Sequence, residues 1–335
     1  MGHRKKSAPR HGSLAYLPRG RARSLTPIVK TWPKIESEKP TLLGLAAFKA
    51  GTIHIYTVDD REKTPNYGKP LFNTATVLEA PPIFISGFRA YEKSEEGVLK
   101  VFDEVYTKNQ PKELARKKMF KNTASKKHLE TLKGSLDRVE RFTAVCCLTP
   151  KETGLPQKTP VLFEVEVGGG TVESQFEYLE SILGKTVKVS DIFQPGVYID
   201  TVAVTRGKGF EGPVTRMGIK RKQHKSRKTV RAVGAIGPWK PGATMYTVPS
   251  AGQRGFHRRT EYNKRVIAVG NPEENPVTPE GGFSHYGVVK SDYIIVKGSV
   301  QGPPKRLVKL RYSVRPRSRK VQPPKILEVS TVRSR

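Results

Sequence analysis

A glycine-rich motif is the first place where this chain could carry chemistry. The segment Gly207–Gly212 reads G-x-G-x-x-G and follows the apolar run Val197–Thr205. A dinucleotide-binding turn of this kind opens a helix whose N-terminus meets the pyrophosphate, and an acidic residue follows about twenty positions later. Pro213 and Gly218 interrupt the next segment, and the expected acid falls in a basic stretch. We therefore predict that the glycines serve a sharp exit of the backbone from a strand and a close approach to phosphate.

The other reactive side chains form no catalytic pattern in the sequence. The seven histidines are scattered without metal-ligand spacing, and His54 is predicted to lie on a strand surface. There is no P-loop and no G-x-S-x-G motif. Cys146 and Cys147 are neighbours, so on a strand they point to opposite faces and do not pair. We predict no catalytic residue, metal site or cofactor, and at least one reduced core cysteine in a cytoplasmic protein.

The positive charge of the chain is concentrated in three segments. Residues 206–265 contain sixteen Lys or Arg and two acids, which gives a net charge of +14. Residues 1–40 carry +8 and residues 303–335 carry +10, whereas the rest of the chain sums to −1 within a total of +31. Because charge repulsion opposes compaction, the pattern predicts a nucleic-acid partner. An anionic membrane surface would require an amphipathic helix beside the charge, and the sequence has none.

Cations of these segments are predicted to neutralise backbone phosphates without reading a base sequence. The predicted RNA-binding residues of the central segment are Arg206, Lys208, Arg216, Lys220, Arg221, Lys222, His224, Lys225, Arg227, Lys228, Arg231, Trp239, Lys240, Gln253, Arg254, His257, Arg258 and Arg259. Those of the N-terminal arm are His3, Arg4, Lys5, Lys6, Arg10, Arg19, Arg21 and Arg23, and those of the C-terminal tail are Lys305, Arg306, Arg315, Arg317, Arg319 and Lys320.

Trp239 and the segment 251–260 favour folded RNA over duplex DNA. Trp239 lies between Pro and Gly residues that force a turn, so it either stacks on an unpaired base from a loop tip or folds back onto the protein. Residues 251–260 combine glycines for close approach with polar and aromatic groups. The sequence does not distinguish a helix from a β-ribbon over residues 220–231.

The elements that position these residues are predicted to be mainly strands. Two segments over 41–60 join near Lys49–Gly51, and further strands follow at 72–78, 83–88, 98–105, 139–148, 161–167 and 197–205. After Arg265 the predicted strands lie in VIAVG, HYGVVK, DYIIVKGSV and RLVKLRYSV. Residues 111–133 and 171–183 are predicted to be helical, with Gly184 as a C-cap. Short strands with turns between them predict a closed or nearly closed β-barrel, from which the central basic segment is a long excursion.

Several motifs resemble the universal large-subunit ribosomal protein three family, in its archaeal and eukaryotic branch. They are HRKKSAPRHGSLAYLPRGRA, GFRAYEK, DIFQPGVYIDTVAVTRGKGFEG, GAIGPWKPG, SAGQRGFHRRTEYNK and GGFSHYGVVKSDYIIVKGSVQGPPKR. The resemblance covers nearly the whole chain, and the length suits an archaeal member. One departure is Lys240, where some eukaryotic members carry a His.

The resemblance implies a fold and a division of the chain. The fold is mainly β with an α+β insertion: an elongation-factor-like β-barrel, an inserted α/β lobe at about 80–185, and long basic extensions. The implied parts are an N-terminal extension (1–40), barrel strands with the lobe (41–205), a finger loop (206–265), remaining barrel strands (266–302), and a final strand with a basic tail (303–335).

The resemblance also implies a function without chemistry. It implies a structural part of the ribosome that binds 23S-type rRNA near its 3′ end, helps to nucleate subunit assembly and extends the finger, with Trp239 at its tip, toward the peptidyl-transferase centre. The implied partners are rRNA and neighbouring ribosomal proteins, without membrane or small-molecule substrate, and any structural Mg²⁺ would be held through the rRNA. An rRNA-modifying enzyme with an RNA-gripping loop, and a DNA-compacting protein, are the alternatives.

Overall fold

The computed structural model describes residues 9–117, 126–318 and 321–331 of the protein. The chain divides into two compact units. The first unit, here called the arm–finger unit, comprises residues 1–24 and 204–258. The second unit, here called the body, comprises residues 25–203 and 259–335.

The fold is mainly β, as the sequence predicts. The strands are β1 (Thr41–Leu42), β2 (Gly44–Val58), β3 (Pro70–Glu79), β4 (Ile83–Lys93), β5 (Leu99–Tyr106), β6 (Val139–Leu148), β7 (Val161–Gly168), β8 (Thr186–Val187), β9 (Tyr198–Val204), β10 (Phe210–Glu211), β11 (Gly252–Gln253), β12 (Arg258–Gly270), β13 (Tyr293–Lys297), β14 (Leu307–Tyr312) and β15 (Ile326–Ser330). The α-helices are α1 (Lys126–Lys133), α2 (Val172–Ile182) and α3 (Pro213–Met217).

The larger sheet of the body has the strand order β14-β9-β12-β13-β3-β2-β15. Strand β14 also pairs with the first half of β2. Six strands are therefore joined in a ring, in the order β14, β9, β12, β13, β3 and β2. The second half of β2 pairs with β15 instead, with Val329 opposite Ile55. One long strand therefore shares one edge between two partners from the C-terminal part of the chain.

The predicted break in the first strand is wrong, because β2 runs through it with a bulge between Lys49 and Gly51. The backbone of Lys49 donates to Arg306 O at 3.0 Å and accepts from Lys305 N at 2.8 Å, so hydrogen bonding continues past the bulge. Gly51 is needed there because a Cβ would lie 2.3 Å from the ring of Phe283. The glycine therefore marks close packing inside a strand, not a turn between two strands.

The second sheet of the body has the order β1-β7-β6-β4-β5, with β8 paired to β4. Helix α2 packs on β6, and the ring of Phe176 lies 5.9 Å from that of Phe88 and 6.1 Å from that of Phe142. Thr171 caps the helix, since its hydroxyl accepts from Ser174 N at 3.3 Å. The predicted helix at 171–183 is confirmed.

Other predictions from the sequence need correction. Residues 111–133 form a 3₁₀ helix at Lys112–Arg116 and then α1, while residues 118–125 lie outside the described part of the chain. The predicted strand at 285–290 is not a strand: Gly287 has φ +104°, and Glu79 accepts from the amides of Lys290 and Ser291 at 2.7 and 2.8 Å. A buried carboxylate holds this loop in place of a neighbouring strand.

Two buried features of the body follow the sequence chemistry. Both Cys146 and Cys147 are buried and free of disulfides, and burial raises the pKa of the Cys147 thiol to about 12. The prediction that at least one of the two cysteines is a small core residue is confirmed. Asp200, which is fully buried, accepts from Arg311 Nη2 at 3.1 Å and from Asn263 N at 3.0 Å. Asp200 on β9 is thus bonded to Arg311 on β14 and to Asn263 on β12, so its carboxylate links three strands of the ring.

Candidate nucleic-acid interface

The neck of the finger is a narrow antiparallel ladder inside the arm–finger unit. Strand β10 pairs with β11, with Phe210 opposite Gln253 and Glu211 opposite Gly252. The ladder continues with Lys208 N donating to Arg254 O at 2.9 Å and Arg254 N donating to Gly209 O at 2.9 Å. The outgoing and returning chains are therefore fixed to each other at the base of the finger.

The glycines of the neck allow this close approach. A Cβ on Gly255 would lie 2.0 Å from Arg206 O, and Gly255 has φ +72°. A Cβ on Gly252 would lie 3.0 Å from Cζ of Arg216. The segment 251–260, which the sequence assigns to close approach toward RNA, thus uses two of its glycines for contacts within the protein.

A short helix follows the motif Gly207–Gly212, where the sequence predicts only an exit turn. Helix α3 has Pro213 at its first position and ends at Gly218, which has φ +70°. Arg216 in this helix donates to Gln253 O at 3.0 Å and to Ser250 O at 2.8 Å, so it ties the helix to the returning chain. The helix has only five residues and no acid follows at the ribose distance, so the motif is not a nucleotide fingerprint.

Residues 219–251, all of which the structure describes, contain neither helix nor strand. The two alternatives for 220–231, a helix and a β-ribbon, are therefore both wrong. Lys222 N donates to Val230 O at 3.0 Å, which closes a loop, and Lys228 has φ +68°. Most cations of this segment are exposed, and Lys222 is half-buried. The exposed predicted residues are Arg206, Lys208, Lys220, Arg221, His224, Lys225, Arg227, Lys228, Arg231, Lys240 and Arg258.

Trp239 is the most exposed large apolar residue of the finger. Its side chain is 91% exposed, so the alternative in which it folds back onto the protein is wrong. Sequence reasoning also misses other exposed large apolar residues of the finger, among them Phe210 at 80%, Tyr246 at 75% and Met245 at 63%. For Phe210 the signal in the sequence is an aromatic residue among glycines and a lysine, where no core can form.

The N-terminal arm belongs to the same unit as the finger. Ala22 N donates to Phe256 O at 2.8 Å, and Nδ1 of the buried His257 lies 2.8 Å from Gly20 O. Arg10 also donates to Thr247 O. His257 is thus a packing residue in the unit, whereas Arg10, Arg21 and Arg23 are exposed and Arg19 is half-buried. His3, Arg4, Lys5 and Lys6 lie outside the described residues.

The arm–finger unit has almost no internal counter-charge. Its sequence contains twenty Lys or Arg and one acid, Glu211. That acid pairs with Arg254, whose Nη1 lies 2.8 Å from Oε2. Gln253 and Arg254 are half-buried and face the protein's own backbone or its single acid. The remaining cations create a strongly positive surface that a polyanion would neutralise.

The predicted RNA-binding residues of the C-terminal tail lie in the body, and so does Arg259. Arg315 and Arg317 are exposed, whereas Arg306 is half-buried and burial lowers its pKa. Lys305 is exposed. Arg259 is half-buried, and its carbonyl accepts from Gln301 Nε2 at 3.1 Å. Arg319 and Lys320 fall outside the part of the chain that the structure describes.

Comparison with known proteins decides the family. The family model described as Ribosomal protein L3 matches residues 1–332. The chain belongs to the ribosomal protein L3 family. It is 45% identical over 328 residues to the large ribosomal subunit protein uL3 of Methanococcus vannielii, with 97% of each chain covered. It is 42% identical to the protein of that name from Methanocaldococcus jannaschii and from Methanobrevibacter smithii, with 96% of each chain covered.

Membership in the ribosomal protein L3 family confirms the resemblance carried by the sequence motifs, and these three relatives are archaeal. The family is that of a structural ribosomal protein and not of an enzyme. Among the described residues, no group of His, Cys, Asp or Glu could hold a metal ion. None of the helices described is long and apolar enough to cross a membrane.

Proposed function

We propose that the chain is a structural constituent of the large ribosomal subunit, in the cytoplasm, and that its arm–finger unit binds 23S-type rRNA. The observation that supports rRNA binding is the positive charge of this unit, because its single acid, Glu211, is already paired with Arg254. An exposed loop of cations without regular structure adapts to phosphates at irregular positions, as folded RNA presents them. The partners are rRNA and neighbouring ribosomal proteins.

The finger binds RNA in two ways. Its shaft, residues 219–231, neutralises phosphates, and its tip presents Trp239 for stacking on an unpaired base. In line with the family, we propose that the contact lies near the 3′ end of the rRNA, that it helps to nucleate assembly, and that the tip points toward the peptidyl-transferase centre. We also propose that the ring of strands in the body is an elongation-factor-like barrel that carries the α/β lobe.

Exposed lysines of the finger should account for much of the salt dependence of rRNA binding. The variant with Lys220, Lys225 and Lys228 changed to Gln should lower the slope of log K against log salt by about 2, since each phosphate contact contributes about 0.7 to 0.9. The measurement is a titration with a large-subunit rRNA transcript at several salt concentrations. The matched control changes Lys93, Lys100 and Lys108, three exposed lysines of the body, to Gln. Equal slopes for the two variants would contradict the proposal.

Stacking of Trp239 can be measured directly because the chain contains only two tryptophans. In the variant Trp32→Phe, rRNA binding should quench the remaining fluorescence strongly, since a stacked base quenches an indole that was exposed. In the control Trp239→Phe, the remaining Trp32 is half-buried in the body and its fluorescence should change little. Unchanged fluorescence of Trp239 at saturating RNA would rule out the stacking contact.

A further inference from the structure

Two arginines from distant parts of the sequence meet beside helix α3, within the arm–finger unit. Gly12 in the arm has φ +74°, and a Cβ there would lie 2.6 Å from Sδ of Met217 and 3.3 Å from Nη2 of Arg19. The arm therefore passes directly over Met217, the last residue of α3, and brings the guanidinium of Arg19 close to this end of the helix. Arg216 is the residue before Met217.

Neither arginine has an acidic partner among the described residues. Arg19 Nη2 donates to Ser13 O at 3.1 Å, but Arg19 Nε is buried and has no hydrogen-bond partner in that part of the chain. Arg216 uses Nε and Nη1 on the carbonyls of Gln253 and Ser250. Carbonyl oxygens satisfy donors without neutralising charge, so both positive charges remain uncompensated.

Close packing makes this arrangement unfavourable for the protein alone. Burial lowers the pKa of Arg216, and the nearby charge of Arg19 lowers it further. The one acid of the unit, Glu211, is occupied by Arg254 at 2.8 Å. A third arginine, Arg231, approaches the same helix and donates to Thr215 Oγ1 at 3.3 Å. Like charges held together without a counter-ion indicate a site for an external anion.

We propose that Arg19 and Arg216 together bind one phosphate of the RNA backbone, and so fasten the arm to the base of the finger when RNA is bound. The inference rests on the proposed function and specifies one site within it. Within the described residues, Arg216 keeps Nη2 and Arg19 keeps Nη1 as donors without a hydrogen bond, so each guanidinium can give one charged donor to the oxygens of a shared phosphate. Arm and finger then bind RNA as one unit.

Sulfate, which has the charge and oxygen geometry of a phosphate, tests the site without RNA. At constant ionic strength, replacing chloride by sulfate should raise the Tm of the full chain by a few degrees more in the wild type than in Arg19→Gln. Arg21→Gln removes an exposed cation of the same arm and should respond like the wild type. Arg19→Lys keeps the charge but loses the planar guanidinium, and should give an intermediate shift. An Arg19→Gln variant that responds like the wild type would overturn the proposal.

A double-mutant cycle with the large-subunit rRNA transcript tests whether the two residues share one phosphate. Arg19→Gln and Arg216→Gln should each weaken binding about tenfold, and the double variant should also lose about tenfold, because the first change already removes the shared contact. For the pair Arg21→Gln and Arg216→Gln, the affinity losses of the two single variants should instead multiply in the double variant. A hundredfold loss in the first double variant would show independent contacts and contradict the shared site.

The two experiments separate this proposal from the proposed function. If the wild type shows no preference for large-subunit rRNA over an unrelated structured RNA, the proposed function fails, although a sulfate effect that depends on Arg19 would still establish an anion site. If the wild type binds that rRNA but the affinity losses of the two single variants multiply in the double variant, only the proposal of a shared phosphate is contradicted. Arg216→Lys keeps a donor for the carbonyls of Gln253 and Ser250, and so checks that a loss in Arg216→Gln is not a local loss of structure.

Discussion

Single residues of the body show how far a basic protein can bury its charges. Arg311 is buried with Asp200 and is therefore compensated, whereas Lys309, two residues earlier on the same strand, is 7% exposed and lies 5.0 Å from the ring centre of Phe163. Burial lowers the pKa of the Lys309 ammonium from 10.5 to about 8. Burial is the main cause of this shift, so it is a local effect of solvation and not of the net charge of the body.

The shift of Lys309 predicts a pH dependence of stability. The unfolded chain keeps the ordinary pKa, so it binds more protons than the folded chain between pH 8 and pH 10.5, and the free energy of unfolding rises with pH in this window. Replacement of Lys309 by Met keeps the chain length and removes the effect. The difference in unfolding free energy between the wild type and Lys309→Met should change by about 2 kcal/mol from pH 8 to pH 10, measured by urea unfolding. A difference that is constant with pH would contradict the buried ammonium.

At the scale of elements, the neck of the finger depends on a glycine whose role is invisible in the sequence around it. Gly255 allows the returning chain to reach the carbonyl of Arg206, which lies on the outgoing chain. The ladder from Lys208 to Arg254 continues this contact. The finger is therefore anchored by backbone hydrogen bonds, which do not depend on the identity of the RNA.

Replacement of Gly255 by Ala should loosen the neck. The new Cβ would lie 2.0 Å from a backbone oxygen at a φ of +72°, and such strain costs about 2 kcal/mol or more. We expect faster hydrogen exchange at the amides of Lys208 and Arg254 and weaker rRNA binding. Gly234→Ala is the control, because nothing lies within 4 Å of the position that its new Cβ would take and its φ is not in the left-handed region. Equal exchange rates in the two variants would refute the steric role.

The elements that could be predicted from the sequence are those with a buried face. Strand β7 and helix α2 show periodic apolar residues because each covers the same core, so their bounds agree with the prediction to within a residue. Strand β15 escapes prediction because it pairs at an edge and none of its side chains is fully buried, so the sequence shows no clear alternation of apolar and polar residues. The bulge at Gly51 and the loop held by Glu79 depend on residues far along the chain, which no local pattern contains.

The interface shows the same contrast. The exposure of the charge runs follows from composition, because a segment without apolar periodicity cannot bury itself. For Trp239 the turn residues left two alternatives open, and the structure decides for the exposed side chain. The proximity of Arg19 to α3 could not be predicted, since it depends on how the arm crosses the helix at Gly12. Likewise, Arg254 and His257 belong to a basic run but contact protein groups.

At the scale of the whole molecule, the two units differ sharply in charge density, with +19 over the 79 residues of the arm–finger unit and +12 over the 256 residues of the body. This difference gives a test of their independence. Replacing residues 212–251 by a two-residue Asn-Gly turn removes nine Lys or Arg, yet Glu211 and Gly252 are already opposite each other in β10 and β11. Strand β12, which begins at Arg258, stays intact.

We expect this shortened chain to keep the unfolding transition of the body, because its sheets and cores contain no residue of the removed segment. The slope of log K against log salt for rRNA binding should fall by about 6 if all nine cations contact phosphates. Calorimetry and salt titration measure the two effects. Loss of the unfolding transition of the body would show that the finger is part of its fold.

The shared edge of β2 has a consequence for the newly made chain. β2 is among the first strands to leave the site of synthesis, whereas its edge partners β14 and β15 are among the last. Until those strands arrive, the edge presents unpaired backbone groups that can recruit a second nascent chain. Pairing across such a sequence separation is slow, so the hazard persists until β14 and β15 have been made. Strand β15 therefore pairs late with the open edge of β2 and removes this edge as a site of aggregation. The basic N-terminal residues, in contrast, can attract RNA from the beginning of synthesis.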